Sequence, residues 1–105
     1  MSPQQLQQQV SLASDYLKRL SHPTRLLVLC TLIESEKTVG ELTQIADISQ
    51  SALSQHLAVL REHQLVKTRR ESQTIFYSLA DENSIKIIDV LHQIFCPTNE
   101  SAFHD

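Results

Sequence analysis

The chain opens on a Gln-rich stretch, Gln4 to Gln9, yet Leu6, Val10, Ala13, Leu17 and Leu20 step by 4, 3, 4 and 3. That spacing lays one apolar stripe along a helix. A stripe this narrow fits a seam against a partner helix better than a face sunk in a core. Ser21-His22-Pro23 ends this helix and starts the next, with Ser as the expected cap and Pro tolerated in a first turn. From Arg25 to Ile33 the chain is almost wholly apolar, which predicts a helix buried on most sides at the centre of the domain. The polar run Glu34 to Lys37 ends it.

Gly40 precedes a short helical pattern, Glu41 to Ala46, with Leu42 and Ile45 on one side. Asp47-Ile48-Ser49 breaks it, and Ile48 is apolar enough to plug the gap between two helices. Ser49 is placed to cap a helix from Gln50 to about His63, in which Leu53, Leu57 and Leu60 lie at spacings of 4 and 3. Two helices across so short a turn form a helix-turn-helix. The period changes at Leu65: Val66, Thr68 and Arg70 fall on one side of an extended chain, Lys67 and Arg69 on the other. After Glu71-Ser72-Gln73, the β-branched and aromatic run Thr74 to Leu79 predicts a second strand, so the two form a hairpin with basic residues on its arms. Its turn lacks Asn-Gly, which leaves the turn type open. Asp81 opens a last helix to about Cys96, before Pro97. Its residues Ile85, Ile88, Leu91 and Phe95 step by 3, 3 and 4, with Ile87, Val90 and Ile94 alongside. That apolar face is wider than the domain needs internally. The tail from Thr98 to Asp105 is expected to fray. The predicted fold is therefore mainly α with a small β-hairpin, a winged helix-turn-helix in the order α-α-α-α-β-β-α, over one domain of residues 1–105.

Composition agrees with this picture. A chain of 105 residues, 41% hydrophobic and 20% charged, is one ordinary globular domain. One Gly and three Pro are too few for a many-turned all-β fold. No apolar run approaches the length of a membrane span, and the start MSPQQLQQQ lacks a basic segment followed by an apolar one, so an intracellular, cytoplasmic protein is expected. The formal net charge of −3 argues against a polyanion partner only when taken globally. Residues 48–80 carry Arg61, Lys67, Arg69 and Arg70 against Glu62 and Glu71, a balance of +2 that leaves −5 for the remainder. One region is thus suited to an anion and another is not.

Candidate chemistry concentrates at the second helix of the pair. With Leu53 and Leu57 inward, Gln50, Ser51, Ser54 and Gln55 point outward. Amide and hydroxyl side chains suit base edges, since Gln pairs with adenine and Ser donates or accepts. The helix start also presents free amides to a phosphate. Such a row is equally a solvated helix face when taken alone, but the basic hairpin directly after it favours DNA. Arg69 and Arg70 are then expected at phosphates or in a minor groove; in a protein without DNA they would simply keep an edge strand from pairing. Enzymatic function is not expected: there is no glycine-rich phosphate loop, no Cys-x-x-Cys and no His-Glu-x-x-His. Ser54 and His56, two apart on a helix, face away from each other and cannot act as nucleophile and base. A helical protein-binding adaptor would explain the apolar terminal helices but not the polar helix followed by basic strands.

The segments LSHPTRLLVLCTL and VGELTQIADISQSALSQHLAVLREHQLVKTRRESQTIFYSL resemble the ArsR/SmtB family of bacterial winged-helix repressors, over roughly residues 17–96. The resemblance implies a homodimer formed by the first and last helices, bound to an inverted repeat in double-stranded promoter DNA. Its two reading helices would lie about one DNA turn apart. Matched by motif, Gln50, Ser51, Ser54, Gln55 and His56 fall on the DNA-reading helix, and Arg69 and Arg70 on the wing. Many members of the family sense metals. One site type needs Cys-x-Cys before the reading helix, where this chain has Glu41-Leu42-Thr43-Gln44-Ile45. Another uses Asp-x-His with a later His and acidic residue; here Asp89 and His92 are three apart and His104-Asp105 follow in the tail, a departure from the pattern. No metal and no cofactor is therefore expected.

Two cysteines remain, Cys30 and Cys96, 66 positions apart. Each alone is a small buried hydrophobe, and a structural disulfide is not expected inside a cell. Yet LVLC and IFCP resemble the HlyU/BigR/YgaV-like branch of dithiol redox and persulfide sensors. That resemblance implies that Cys30 and Cys96 face each other within one subunit. Reactive sulfur species or oxidants would join them by a disulfide or polysulfide bridge and release operator DNA. Attack needs a thiolate; the negative end of the last helix opposes one at Cys96, and His92, one turn earlier, would offset this if protonated. The alternatives are a metal-responsive repressor of the same family, or a member without a thiol switch.

Overall fold

The computed structural model describes residues 1–96; the tail expected to fray, Thr98 to Asp105, lies outside the described residues. Helix α1 (Pro3–Leu20) starts at a reciprocal cap, in which Ser2 Oγ accepts from the Gln5 amide and Gln5 Oε1 accepts from the Ser2 amide. The pair satisfies two of the amides that every helix start leaves open. Of the predicted stripe only Leu20 is buried; Leu6, Val10 and Leu17 are each more than half exposed. Helix α2 (Pro23–Glu34) is capped by His22 and not by Ser21: His22 Nδ1 accepts from the Thr24 amide at 3.1 Å, while the Ser21 amide closes α1 on Lys18. Val28, Leu29 and Leu32 of α2 enter the core, while Leu27 on its other side remains exposed.

A short strand, β1 (Lys37–Thr38), precedes α3 (Val39–Ala46) and was not legible in the sequence, because two residues display no alternation. Thr38 also makes α3 start earlier than Glu41. Its Oγ1 accepts from the Glu41 amide, and Glu41 Oε1 accepts from the Thr38 amide at 2.9 Å. Gly40 is thereby inside the first turn. Leu42 is buried as expected, but Ile45 is exposed. Asp47 ends α3 in the left-handed region at φ 55°, which a short polar side chain tolerates. Ser49 then caps α4 (Gln50–Glu62) by accepting from the Ala52 amide at 3.2 Å.

Strands β2 (Val66–Glu71) and β3 (Thr74–Leu79) form the expected hairpin about a two-residue turn with Ser72 at φ 59°. With β1 they make a three-stranded antiparallel sheet in the order β1-β3-β2. The register pairs Val66 with Leu79, Thr68 with Tyr77 and Arg70 with Ile75 on one face, and Lys67 with Ser78, Arg69 with Phe76 and Glu71 with Thr74 on the other. Val66 and Leu79 join Leu53, Leu57 and Leu60 in one buried cluster, so the first face is the α4 side. Helix α5 (Glu82–Phe95) begins at Asp81, whose carboxylate accepts from the amide and hydroxyl of buried Ser84, each at 2.8 Å. Ile88 of α5 enters the core, whereas Ile94 is 62% and Phe95 75% exposed. The architecture is the winged helix-turn-helix that the sequence predicted, with the extra strand β1. Among the described residues, no helix is long and apolar enough to cross a membrane.

Candidate functional site

The geometry of α4 follows from its leucines. Leu53 and Leu57 are buried, so the helix presents Gln50, Ser51, Ser54 and Gln55 to solvent over its first turns. Ser51 Oγ lies 3.3 Å from the capping Ser49 Oγ, which places two hydroxyls at the helix start. An exposed, uncharged, hydrogen-bonding row at a helix N-terminus can meet both base edges and a phosphate.

His56 does not join that row. It is half-buried and faces His22 at the start of α2, with ring centroids 4.3 Å apart. Burial, then His22 and Arg25, hold its imidazole below the ordinary histidine range. His56 sits at the junction of α4 and α2, where it packs the helix whose outer face carries the polar row. In the sequence His22 belongs to a helix break, and nothing in its spacing from His56 signals the contact.

The two wing arginines part company. Arg70, exposed near the hairpin tip, lies on the α4 side of the sheet by its pairing with Ile75. Arg69 lies on the opposite face. Its Nε donates to Glu36 Oε2 at 2.8 Å, its Nη2 pairs with Glu36 Oε1, and its Nη1 donates to Glu71 Oε2 at 2.9 Å. The guanidinium also lies 4.3 Å from the centre of the Phe76 ring. The pair holds the Glu36 carboxyl below its usual range and raises the Arg69 guanidinium. Among the described residues, these are the ion pairs of the molecule. Glu36 and Phe76 escaped sequence reasoning because Glu36 and Arg69 are 33 positions apart.

Cys30 on α2 and Cys96 at the end of α5 come together. Both line a cleft of about 310 Å³ whose other walls are Pro23, Leu26, Leu27, Leu91 and Phe95. Both thiols are free. Cys30 is half-buried, and burial followed by the nearby Cys96 pushes its thiol up. Cys96 is exposed, and its amide closes α5 on the His92 carbonyl at 2.8 Å. The Cys96 thiol is thus the more accessible of the two, and both line the same apolar cleft.

Of the residues weighed as metal ligands, Asp89 accepts from Gln93 Nε2 at 2.9 Å, and His104 and Asp105 lie outside the described residues. Among the described residues, no three His, Cys, Asp or Glu side chains gather in a way that could hold a metal ion.

Residues 22–68 match the family described as "Bacterial regulatory protein, arsR family". The chain is 41% identical, over 97% of its length, to the "Biofilm growth-associated repressor" of Xylella fastidiosa (strain Temecula1), of which it covers 90%. It is 42% identical, over 95% of its length, to the "Transcriptional activator HlyU" of Vibrio cholerae serotype O1, of which it covers 93%. The solved structure "Reduced HlyU from Vibrio cholerae N16961" superposes with a TM-score of 0.84 at 43% identity, covering 89% of this chain and 98% of that one.

Proposed function

Because the chain belongs to the arsR family of bacterial transcriptional regulators, we propose that it is a homodimeric repressor that lets go of its operator when Cys30 and Cys96 become joined. The exposed apolar residues of α1 and α5 form the dimer contact, since a face of this size is not left to water by a monomer. Each subunit sets Gln50, Ser51, Ser54 and Gln55 against base edges in the major groove, with the wing alongside on the backbone.

One observation carries the switch: the two cysteines of the chain line one cleft, although they stand on different helices. The exposed Cys96 thiolate attacks the outer sulfur of an organic persulfide. This gives a Cys96 persulfide and expels the donor's thiolate. The Cys30 thiolate then attacks the Cys96 sulfur and expels hydrosulfide, which leaves a disulfide; further sulfur transfer before closure leaves a longer bridge. Either bridge ties the core helix α2 to α5, the dimer helix, and so changes the separation of the two α4 helices. An operator with half-sites about one turn apart tolerates little change in that separation, and a difference of a few kcal/mol between states suffices to empty it. That a similar solved structure is of reduced HlyU is compatible with a redox-dependent form in a relative.

The test is DNA affinity of the wild type and of Cys30→Ser and Cys96→Ser, with and without a persulfide donor. The wild type is expected to release DNA and both variants to keep it. Release by both single variants would overturn the dithiol mechanism and leave the DNA-binding function standing.

A further inference from the structure

We propose that Glu36 is a positioning residue for DNA binding: through Arg69 it sets the direction of the wing, so that Arg70 and not Arg69 meets the phosphate backbone. The proposal rests on the reading of this chain as a DNA-binding regulator and adds residues that reading does not contain.

The register separates the two arginines. Arg70 shares a face with Thr68, Val66 and their partners Tyr77 and Leu79, which is the face that α4 packs on. Tyr77 in turn lines one groove with Ser54 and Arg61 of α4. A duplex lying along the exposed row of α4 therefore approaches the wing from the side of Arg70. Arg69 points the other way, and each of its three nitrogens already bonds Glu36 or Glu71 while its flat face rests on Phe76.

The tie has a mechanical consequence. Glu36 stands just before β1, on one side of the sheet, and Arg69 stands on β2, on the other side, with β3 between them. The guanidinium therefore reaches over Phe76 of β3 and ties the first strand to the last. Beyond the β2–β3 ladder and the stacking of Arg69 on Phe76, the hairpin tip has no buried side chain of its own, since the residues from Arg69 to Thr74 are all exposed. An isolated exposed ion pair contributes little. A two-pronged carboxylate contact to a planar, stacked guanidinium is the geometry in which it holds direction best.

The sign of the effect distinguishes this role from ordinary electrostatics. Removing a carboxylate beside a polyanion normally tightens binding. A strut predicts the reverse, because loss of Glu36 frees the wing and costs ordering when DNA binds.

The experiment uses the full chain and a short duplex selected by the wild type from a random-sequence pool, followed by fluorescence anisotropy across a salt series. Glu36→Gln and Arg69→Gln are each expected to weaken binding roughly threefold per wing, and so roughly tenfold for two wings, if the pair has the middle of the range of exposed ion pairs. Neither changes the salt slope. Arg70→Gln is expected to lower the slope by roughly 0.9 for each subunit, as loss of a phosphate contact does. Glu36→Asp is expected to fall between wild type and Glu36→Gln. Glu36→Gln binding as tightly as wild type, or tighter, overturns the proposal, as does a slope loss in Arg69→Gln equal to that of Arg70→Gln. A wild type that selects no duplex overturns the DNA-binding reading itself, a result distinct from a wild type that binds while Glu36→Gln equals it.

Discussion

The imidazole of His56 on α4 rests against that of His22 at the cap of α2, the two rings inclined by 46°. This contact joins the helix that carries the polar row to the helix that forms the core. It works best with His56 neutral, and burial, His22 and Arg25 all depress its proton affinity. The unfolded chain therefore takes up a proton at higher pH than the folded chain. The stabilisation is present above the ordinary histidine value of 6.5 and is lost as pH falls through the lower folded value. The midpoint of thermal unfolding should fall across this window in the wild type and fall less in His56→Gln. Equal pH dependence in the two proteins would place the responsible proton elsewhere. The depressed carboxyls of Glu36, Glu41 and Asp81 lose their contribution at lower pH, as pH falls through their own folded values, so the two windows are separable.

Cysteine reactivity should be ordered. Cys96 is exposed, whereas burial raises the half-buried Cys30 thiol and the neighbouring Cys96 raises it further. In mildly alkaline buffer, iodoacetamide is expected to label Cys96 first, followed by peptide mass spectrometry. In Cys96→Ser one of the two causes is removed, so the Cys30 thiol should titrate at lower pH than in the wild type. Faster labelling of Cys30 than of Cys96 in the wild type would contradict the arrangement of the cleft.

What the sequence conveyed depended on distance along the chain. The leucine spacing on α4, the caps at Ser49 and Asp81, and the alternation of β2 are local patterns, and each became the element expected. The alternation even placed Arg69 and Arg70 on opposite faces. It did not say which face looks at α4, because that is decided by packing of Val66 and Leu79 on Leu57 and Leu60. Contacts between distant residues were silent. Glu36 finds Arg69, and His22 finds His56, through the sheet and the helix pair, and no spacing encodes either. Cys30 and Cys96 were paired only through family resemblance, which the shared cleft now supports on physical grounds. Ser21 lost the cap of α2 to His22 because a hydrogen-bond-accepting imidazole sat one residue nearer the helix.

Leu53 and Gln55 stand two residues apart on α4 and should separate stability from recognition. Leu53 is fully buried among the core leucines. Leu53→Ala is expected to lower stability in urea by roughly 2–5 kcal/mol, as other buried leucine truncations do. Gln55 is exposed, so Gln55→Ala should leave the urea midpoint unchanged while it reduces discrimination between the selected duplex and a mismatched one by roughly 1–3 kcal/mol. A loss of stability in Gln55→Ala without a change in discrimination would remove it from the DNA face.

The dimer can be tested at α5. Val90 and Ile94 are 54% and 62% exposed within the subunit, and they continue an apolar face with Ile87. In a two-fold interface each position is used twice, so one substitution places two like charges in the contact. Ile94→Glu is expected to sediment as a monomer while it keeps the helical content and unfolding midpoint of a folded subunit, because the side chain lies outside the core. Its affinity for a duplex with two half-sites should fall to that for a duplex with one. The cysteines belong to one subunit, so the monomer should still form the Cys30–Cys96 bridge on treatment with a persulfide donor. Bridging should no longer alter DNA affinity, since there is no second α4 whose separation it can change. A monomer that still releases DNA on bridging would move the switch from the dimer geometry to α4 itself.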